Sequence, residues 1–488
     1  MSARAELGTL EASGLIQIAA LQPELEYLFR HALVQEAAYA SLLKQDRRTL
    51  HLAAAEAIIE LHPERRREHA AVIAMHLEQA GEAARAAQQF IVAGEHALER
   101  FANREAMAFF ARASALAGDS QPDLRLRAAI GGAKAGWGYE SDPHIHALEQ
   151  AIAGAAGADP LNVTEAYFWI AFLRRQRGET AESSSELRQA LERGAEISRT
   201  LTDPTAAALP RALMGAFVAF MGGLRQGARD MSEALDQIEV KGDPVSIAMV
   251  SDFLAMTYSR LGEFELAQET IERAARYAGD GDAIARVDVD ISRSALALER
   301  GEVDQAHAQA RDCSERAESL GAFACVVAAN TMFGAASLAR EDAPGARGPL
   351  ERGSELSQVT NMAPMRTLIQ GLLGSTRALL GDMPGGVAGW DAALADARAM
   401  GDRYGEAQTL WGRGRFYARN EEWSTALPDI DRAVELFAGM EARPALARAL
   451  RDRAKVLRGV GRAVEAEADE TRSIELGNEL GLRDMPPA

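Results

Sequence analysis

The sequence predicts an all-α protein built as a stacked solenoid of helical hairpins, and three observations predict it. First, turn residues recur at Gly81, Gly138, Gly178, Gly223, Gly262, Gly301, Glu341, Gly381, Glu421 and Gly461, spaced 39 to 45 residues apart from Gly138 onward and usually 40. Second, a small side chain stands seven residues before each turn: Ala74, Gly131, Ala171, Ala216, Ala255, Ser294, Gly334, Gly374, Gly414 and Ala454. Third, small residues follow five and twelve after most turns, as in Ala86 and Ala93, Ser183 and Ala190, Ala267 and Ala274, or Ala306 and Cys313, with Leu235 the exception. Small residues at fixed places on consecutive helices let two backbones approach closely, so about nine to ten hairpins are expected. On this register Leu substituted at Gly334 or Gly374 should overpack a helix joint by about 1–3 kcal/mol or more.

The elements follow in chain order. Leu15-Ile16-Gln17-Ile18 and Leu25-Glu26-Tyr27-Leu28-Phe29 read as two short strands around Gln22-Pro23. A helix begins near His31 and carries Leu33, Ala37, Ala38 and Leu42. The turn spacing breaks once, with 57 residues between Gly81 and Gly138, and the surplus is one helix over Asn103–Leu116. Beyond it, Asp159-Pro160, Asp203-Pro204 and Asp243-Pro244 each set an N-cap acceptor before a proline whose missing N–H costs nothing in the first turn. Helices such as Val245–Leu261 and Glu263–Ala278 then flank each turn. The expected organisation is an N-terminal module over 1–65, an irregular joint with the first hairpin over 66–120, the array over 121–482 and a tail over 483–488.

Composition narrows function. The chain has 53 basic against 71 acidic side chains, a net charge of −18, which disfavours direct nucleic-acid binding through displaced counterions. Met1–Gly14 carries Arg4, Glu6 and Glu11 and is no signal peptide, and the longest uncharged apolar run, Ala212–Leu224, is too short for a bilayer. A cytoplasmic protein without membrane contact is expected. Cys313 and Cys325 make no disulfide framework, and the nine histidines show no chelating spacing. Neither a GxxxxGK[ST] loop, an HExxH nor a Gly-x-Ser-x-Gly elbow occurs, so no cofactor and no catalysis are expected.

The small–turn–small–small pattern, clearest at Leu261-Gly262, Ala267 and Ala274, resembles the tetratricopeptide-repeat superfamily in a long-helix, roughly 40-residue variety, from about Glu68 to Gly481. That resemblance implies a right-handed superhelix. Residues Tyr27-Leu28-Phe29-Arg30-His31-Ala32-Leu33-Val34-Gln35-Glu36-Ala37-Ala38-Tyr39, with Leu42-Leu43, Arg47-Arg48 and His51, resemble the end of the winged-helix domain of bacterial signal-transduction ATPases with numerous domains. This implies a partial winged-helix domain followed by the repeat arm of a signalling ATPase, a scaffold that holds a partner protein, a peptide or a small effector, with its own ATPase domain among the candidate partners. The alternative is the non-catalytic C-terminal part of an adenylate or guanylate cyclase-linked ATPase, or of a transcriptional regulator whose DNA-binding part lies elsewhere. His31 falls where a related family's Met-His-Asp histidine reaches nucleotide phosphate, although Ala32 replaces the acid.

In tetratricopeptide arrays the first helix of each hairpin lines the concave face at about 13, 10, 6 and 3 residues before the turn. Here those positions yield an aromatic and methionine-rich wall, Phe168, Phe172, Arg175, Phe217, Phe220, Met249 and Met256, then Trp411 and Arg415, then the basic quartet Arg448, Arg451, Lys455 and Arg458. Aromatic and methionine side chains favour a peptide or helix ligand, and a cationic stripe favours an acidic segment or phosphate. A tight coil that buries the aromatics between superhelical turns, and a solvated end cap for the quartet, account for the same residues structurally.

Overall fold

The computed structural model describes every residue except 1–2, 21–25, 101, 119, 137–140, 180–184, 199, 203, 242–243, 279–282, 360–361 and 485–488. The expected turn at Gly138, the small residue Ser183, the Gln22-Pro23 turn, the N-caps Asp203 and Asp243 and the end of the tail therefore lie outside the described residues.

The chain opens with α1 (Ala3–Ala12), an antiparallel hairpin of β1 (Ile16–Ala20) and β2 (Glu26–Phe29), α2 (Ala32–Ser41) and α3 (Lys44–Leu61). Strand register pairs Ile16 with Phe29, Gln17 with Leu28 and Ile18 with Tyr27. Two strands alone are marginal in water, and this module leaves much of its apolar surface open. Of the 21 large apolar side chains exposed among the described residues, 12 fall between Leu10 and Met75, with Leu28 57%, Leu33 78% and Leu43 71% exposed.

Ten hairpins follow. The first is α4 (Ala70–Ala80) with α5 (Ala83–Glu99), and the extra helix α6 (Asn103–Ala117) comes after it. Phe110 of α6 lies on Gly94 and Gly131, where an added Cβ would fall 2.7 and 2.2 Å from its ring, so the irregular helix is wedged between regular neighbours. Next come α7 (Pro122–Gly136) with α8 (Ser141–Ala153), α9 (Pro160–Gln176) with α10 (Ser185–Ser198), α11 (Pro204–Phe220) with α12 (Leu224–Lys241), and α13 (Pro244–Leu261) with α14 (Phe264–Ala278). The rest are α15 (Ala283–Arg300) with α16 (Val303–Leu320), α17 (Phe323–Ala339) with α18 (Ala343–Val359), α19 (Ala363–Leu379) with α20 (Met383–Met400), α21 (Arg403–Arg419) with α22 (Trp423–Met440), and α23 (Arg443–Gly459) with α24 (Ala463–Leu480).

The turn residues explain the spacing. Gly81, Gly178, Gly262, Gly301, Gly381 and Gly461 all have positive φ, and so do Glu341 and Glu421. A left-handed glutamate carries a steric cost that glycine lacks. Glu421 has φ 60°, and Glu421→Gly is expected to raise stability by about 0.5–1 kcal/mol, read as a higher denaturation midpoint.

One turn is a correction. The left-handed residue of the fourth is Gly222, not Gly223, and its N–H bonds the Ala219 carbonyl as Gly262 bonds Ser259. The small positions of that hairpin therefore become Gly215, Gly227 and Ala234, and the exception at Leu235 disappears. A Cβ on Gly227 would lie 2.4 Å from the Gly215 carbonyl, the same crossing that Gly374 and Gly386 make four hairpins later. The inner-wall positions move with the turn, to Leu209, Ala212, Ala216 and Ala219, so Phe217 and Phe220, expected on that stripe, each fall one residue off it.

Hairpins are also tied by a polar device the sequence reading missed. Arg413 forks onto Asp429 at 2.7 and 2.8 Å and reaches Asp391 of the preceding hairpin at 3.4 Å. Forty residues on, Arg453 repeats this with Asp469 at 2.5 and 2.7 Å and with Asp431 at 3.4 Å. Planar two-point pairing suits a guanidinium and fixes the helices in angle as well as distance.

Finally, the coil closes on itself. An added Cβ on Gly222 would meet Arg403 and Met440, one on Gly262 would meet Pro444 and Leu480, and one on Gly301 would meet Asp484. Gly222 to Arg403, Gly262 to Pro444 and Gly301 to Asp484 are steps of 181, 182 and 183 residues, about four and a half hairpins per superhelical turn. The turns of hairpins four to six thus rest on hairpins nine and ten.

Candidate functional site

The inner wall and the seam between superhelical turns hold most of the residues singled out from sequence. In the N-terminal half, Phe168 is buried at 7% exposure while Phe172, Phe217, Phe220, Met249 and Met256 are half-buried. Ring centroids run from Phe168 to Phe172 at 6.1 Å, from Phe172 to Phe253 at 6.5 Å and from Phe253 to Phe220 at 5.6 Å. This aromatic chain crosses three hairpins. Phe253 was missed because it lies one residue off the counted stripe, although its ring links both neighbours.

Arg175 stands apart from the other arginines. It is 4% exposed, its guanidinium lies 5.8 Å over the Phe217 ring, and its Nε and Nη1 have no hydrogen-bond partner among the described residues. Burial pulls its pKa below the ordinary value, and the charge of Asp402, across the seam, pulls it back up. Asp402 is itself engaged as the N-cap of α21, accepting from Gly405 N–H at 2.9 Å. Asp342 and Asp382 cap α18 and α20 in the same way through Gly345 and Gly385.

The basic end is mostly paired. Arg448 is 7% exposed, donates to Asp484 at 2.6 and 3.0 Å and to the Glu299 carbonyl at 2.9 Å, and lies 3.5 Å from the Glu299 carboxylate. Arg451 reaches the Asp484 carbonyl at 3.0 Å and Arg458 pairs with Glu470. Lys455 is exposed. The Arg483 N–H closes onto the Arg300 carbonyl at 2.9 Å, so the tail itself is part of the seam. Nearby, Tyr404 donates to Glu299 at 2.9 Å beneath the guanidinium of Arg260, 4.0 Å from its ring centroid. Trp411 donates to Asp452 at 2.9 Å, and the exposed Arg415 lies over its ring and 3.3 Å from the same carboxylate.

A polar cluster joins α13, α15 and α17. Ser292 donates to Asp252, Cys325 donates to Asp288 at 3.0 Å, and the fully buried Ser251 hydroxyl has no partner among the described residues. Burial raises the Asp252 carboxyl, with the Ser292 bond opposing it. Its folded pKa therefore exceeds the unfolded value of about 4, so ionisation opposes folding. Stability is fully present below that value and is lost as pH rises through the folded one. Asp252→Asn is expected to stabilise the protein at pH 7, with the gain fading below pH ~4, which melting across that range checks. The two cysteines are free and buried, and burial pushes Cys313 up to about 11.

His31 is an exposed residue in extended conformation before α2, with no side-chain cap bond. The histidines that do meet are others: His51 and His76 approach Nδ1 to Nδ1 at 2.8 Å, with the Tyr39 hydroxyl on His51 Nε2 at 2.9 Å. Among the described residues, no three His, Cys, Asp or Glu side chains are grouped to hold a metal, and no helix is long and apolar enough to cross a membrane.

The fold and packing pattern define a tetratricopeptide-like helical solenoid. No family model and no curated protein sequence matches the chain. Among solved structures it is similar to a Rap protein complexed with competence and sporulation factor, at 12% identity and TM-score 0.56, over 73% of this chain and 98% of that one. It also matches a signal transduction ATPase with numerous domains carrying a tetratricopeptide repeat sensor, from Pyrococcus horikoshii, at 15% identity and TM-score 0.49, over 82% of this chain and 59% of that one. At such identity the first likeness shows the shared fold.

Proposed function

We propose that the chain is a protein-interaction scaffold, the sensor or regulatory arm of a bacterial signalling ATPase, working in the cytoplasm. The observation that carries this reading is the uncovered apolar face of the N-terminal module. Four of its exposed apolar side chains, Leu28, Phe29, Leu33 and Tyr39, fall on the stretch Tyr27–Tyr39 that resembles the end of a winged-helix domain, and apolar surface left open in this way favours a partner. We take residues 1–65 as that partial domain, with the solenoid as the arm. His31 remains the candidate nucleotide sensor: it is exposed, and its side chain makes no cap bond to α2. A protein or peptide partner on the aromatic wall would use the half-buried Phe172, Phe217, Phe220, Met249 and Met256, with Phe168 and Arg175 beneath, and Trp411, Arg415 and Lys455 further along. The basic Arg448, Arg451 and Arg458 would contribute after release from their acidic partners.

The test is native co-purification with mass spectrometry, comparing the wild type with Leu28→Ser/Leu33→Ser and with Phe172→Ala/Phe220→Ala, each confirmed as folded by its melting curve. A P-loop ATPase is expected to accompany the wild type and to be lost with the leucine pair, while an effector protein or peptide is lost with the phenylalanine pair. The chain alone should not turn over ATP. If no ATPase associates and neither variant alters what is bound, this reading is wrong.

A further inference from the structure

Titratable groups join the N-terminal module to the array. The Tyr39 hydroxyl of α2 meets His51 Nε2 of α3 at 2.9 Å, and His51 Nδ1 meets His76 Nδ1 of α4 at 2.8 Å. The Tyr39 ring also stands edge-on to His51, with centroids 5.8 Å apart. Helix α2 buries no side chain, so these surface bonds matter to its hold on the helices behind. Further along, α3 is held differently: Ala55 packs with Ile73, Leu77 and Ala86 in an apolar cluster that titration leaves untouched.

Two facing Nδ1 atoms at hydrogen-bond distance require that one carry a proton and the other a lone pair. A first added proton is accommodated: His51 as imidazolium donates to His76 Nδ1 through one nitrogen and to the Tyr39 oxygen through the other. A second is not, because an imidazolium donates at both nitrogens and the two Nδ1–H groups would point at each other. Among the described residues no carboxylate pairs with either ring. Arg47 of α3 lies over the Tyr39 ring, 5.1 Å from its centroid, and Arg48 lies beside Gly81 at the end of α4. Glu56 of α3 and Glu78 of α4 are paired with Arg85 of α5 and Arg112 of α6, while Glu36 of α2 and Asp46 of α3 are exposed. Burial and then the charge of His51 push the His76 pKa below the ordinary histidine value of about 6.5. Folding thus favours the neutral ring: the joint contributes fully above that value and is lost as pH falls through the folded one. Two nitrogens fall short of the about three or four protein ligands that a zinc site takes, so the pair reads protons rather than metal.

We propose that His51 and His76 form a pH-operated latch, which holds α2 and the β-hairpin against α3 and α4 at neutral pH and releases them in mild acid, when both rings are protonated. The apolar face carried by Leu28 and Leu33 moves with them. The latch is read on this chain alone, so its failure and that of the regulatory-arm reading are distinct.

The experiment measures the distance between spin labels on Glu36→Cys in α2 and Gln88→Cys in α5, both exposed positions, in the full chain at steps from about pH 7.5 to about pH 5. Cys313 and Cys325 are buried and stay unlabelled. The expected result is a single narrow distance at the upper pH that broadens and lengthens reversibly at the lower, while circular dichroism shows the array's helices intact. Three variants assign it. His76→Gln and His51→Gln each leave one ring, so no second proton faces the first, and both are expected to keep the neutral-pH distance throughout. His69, whose ring stacks 5.1 Å from His62 at the other end of α3 and α4, is the control, and His69→Gln should release as wild type does. A wild-type distance that ignores pH, release at any pH in either latch variant, or loss of release in His69→Gln each overturns the proposal.

Discussion

Arg448→Met is expected to lower stability by about 2–3 kcal/mol and to loosen the coil, because it leaves two half-buried acids without their cation. Burial disfavours the charge on Arg448, but Asp484 and then Glu299 more than compensate, so the guanidinium is held above its ordinary value. Methionine would fill much of the same space without neutralising Asp484 or Glu299, and the Glu299 carbonyl would lose its donor. The seam ties residues 149 positions apart in the chain, so its loss should show in shape as well as midpoint. Small-angle scattering on Arg448→Met should report a larger radius of gyration than wild type. Adding Asp484→Asn should recover part of the midpoint, since it removes one of the two stranded charges. Unchanged melting and unchanged scattering would mean that the turns are held together elsewhere, at Arg225–Glu441 or in the apolar contacts around Met440 and Leu480.

This seam marks where sequence reading stops. The hairpins were legible because close helix packing demands small residues at fixed intervals, and Ala171, Ala255, Ser294 and Ala454 are each at most 1% exposed, as that logic requires. The fourth turn slipped by one because Gly222 and Gly223 adjoin and spacing alone does not choose between them. Only φ separates them, and Leu235, a large residue at a position small in the units on either side, was the signal that the register was off. Contacts such as Arg448 with Glu299 depend on superhelical pitch, which small angular choices accumulate over several hairpins and no local pattern encodes. The same holds for Arg175, whose inner-wall position was read from spacing but whose burial over the Phe217 ring, with the Asp402 charge across the seam, was not. The forty-residue recurrence of Arg413 with Asp429 and Arg453 with Asp469 was present in the letters, hidden among many other Arg and Asp residues on helices.

Gly374→Leu is expected to be among the most damaging single changes in the array, at about 3 kcal/mol or more. A Cβ on Gly374 would lie 2.9 Å from both the Gly386 carbonyl and the Trp390 N–H nitrogen, and 2.7 Å from Trp390 Cδ1. Two of these three neighbours are backbone, and the third belongs to a fully buried indole whose Nε1 donates to Ser375 at 3.1 Å. None can yield without moving α20 away from α19. Gly334 offers the comparison: its added Cβ would meet Leu350 Cγ and Cδ2 at 2.3 and 2.4 Å, and these are side-chain atoms that a rotamer change can displace. Gly334→Ala should therefore cost less than Gly374→Ala, although the raw distances at Gly334 are shorter. Urea melts of the two alanine variants decide it. Equal losses, or the greater loss at Gly334, would mean that Leu350 is as fixed as backbone and that this array is held by side-chain fit rather than by helix–helix approach at its glycines.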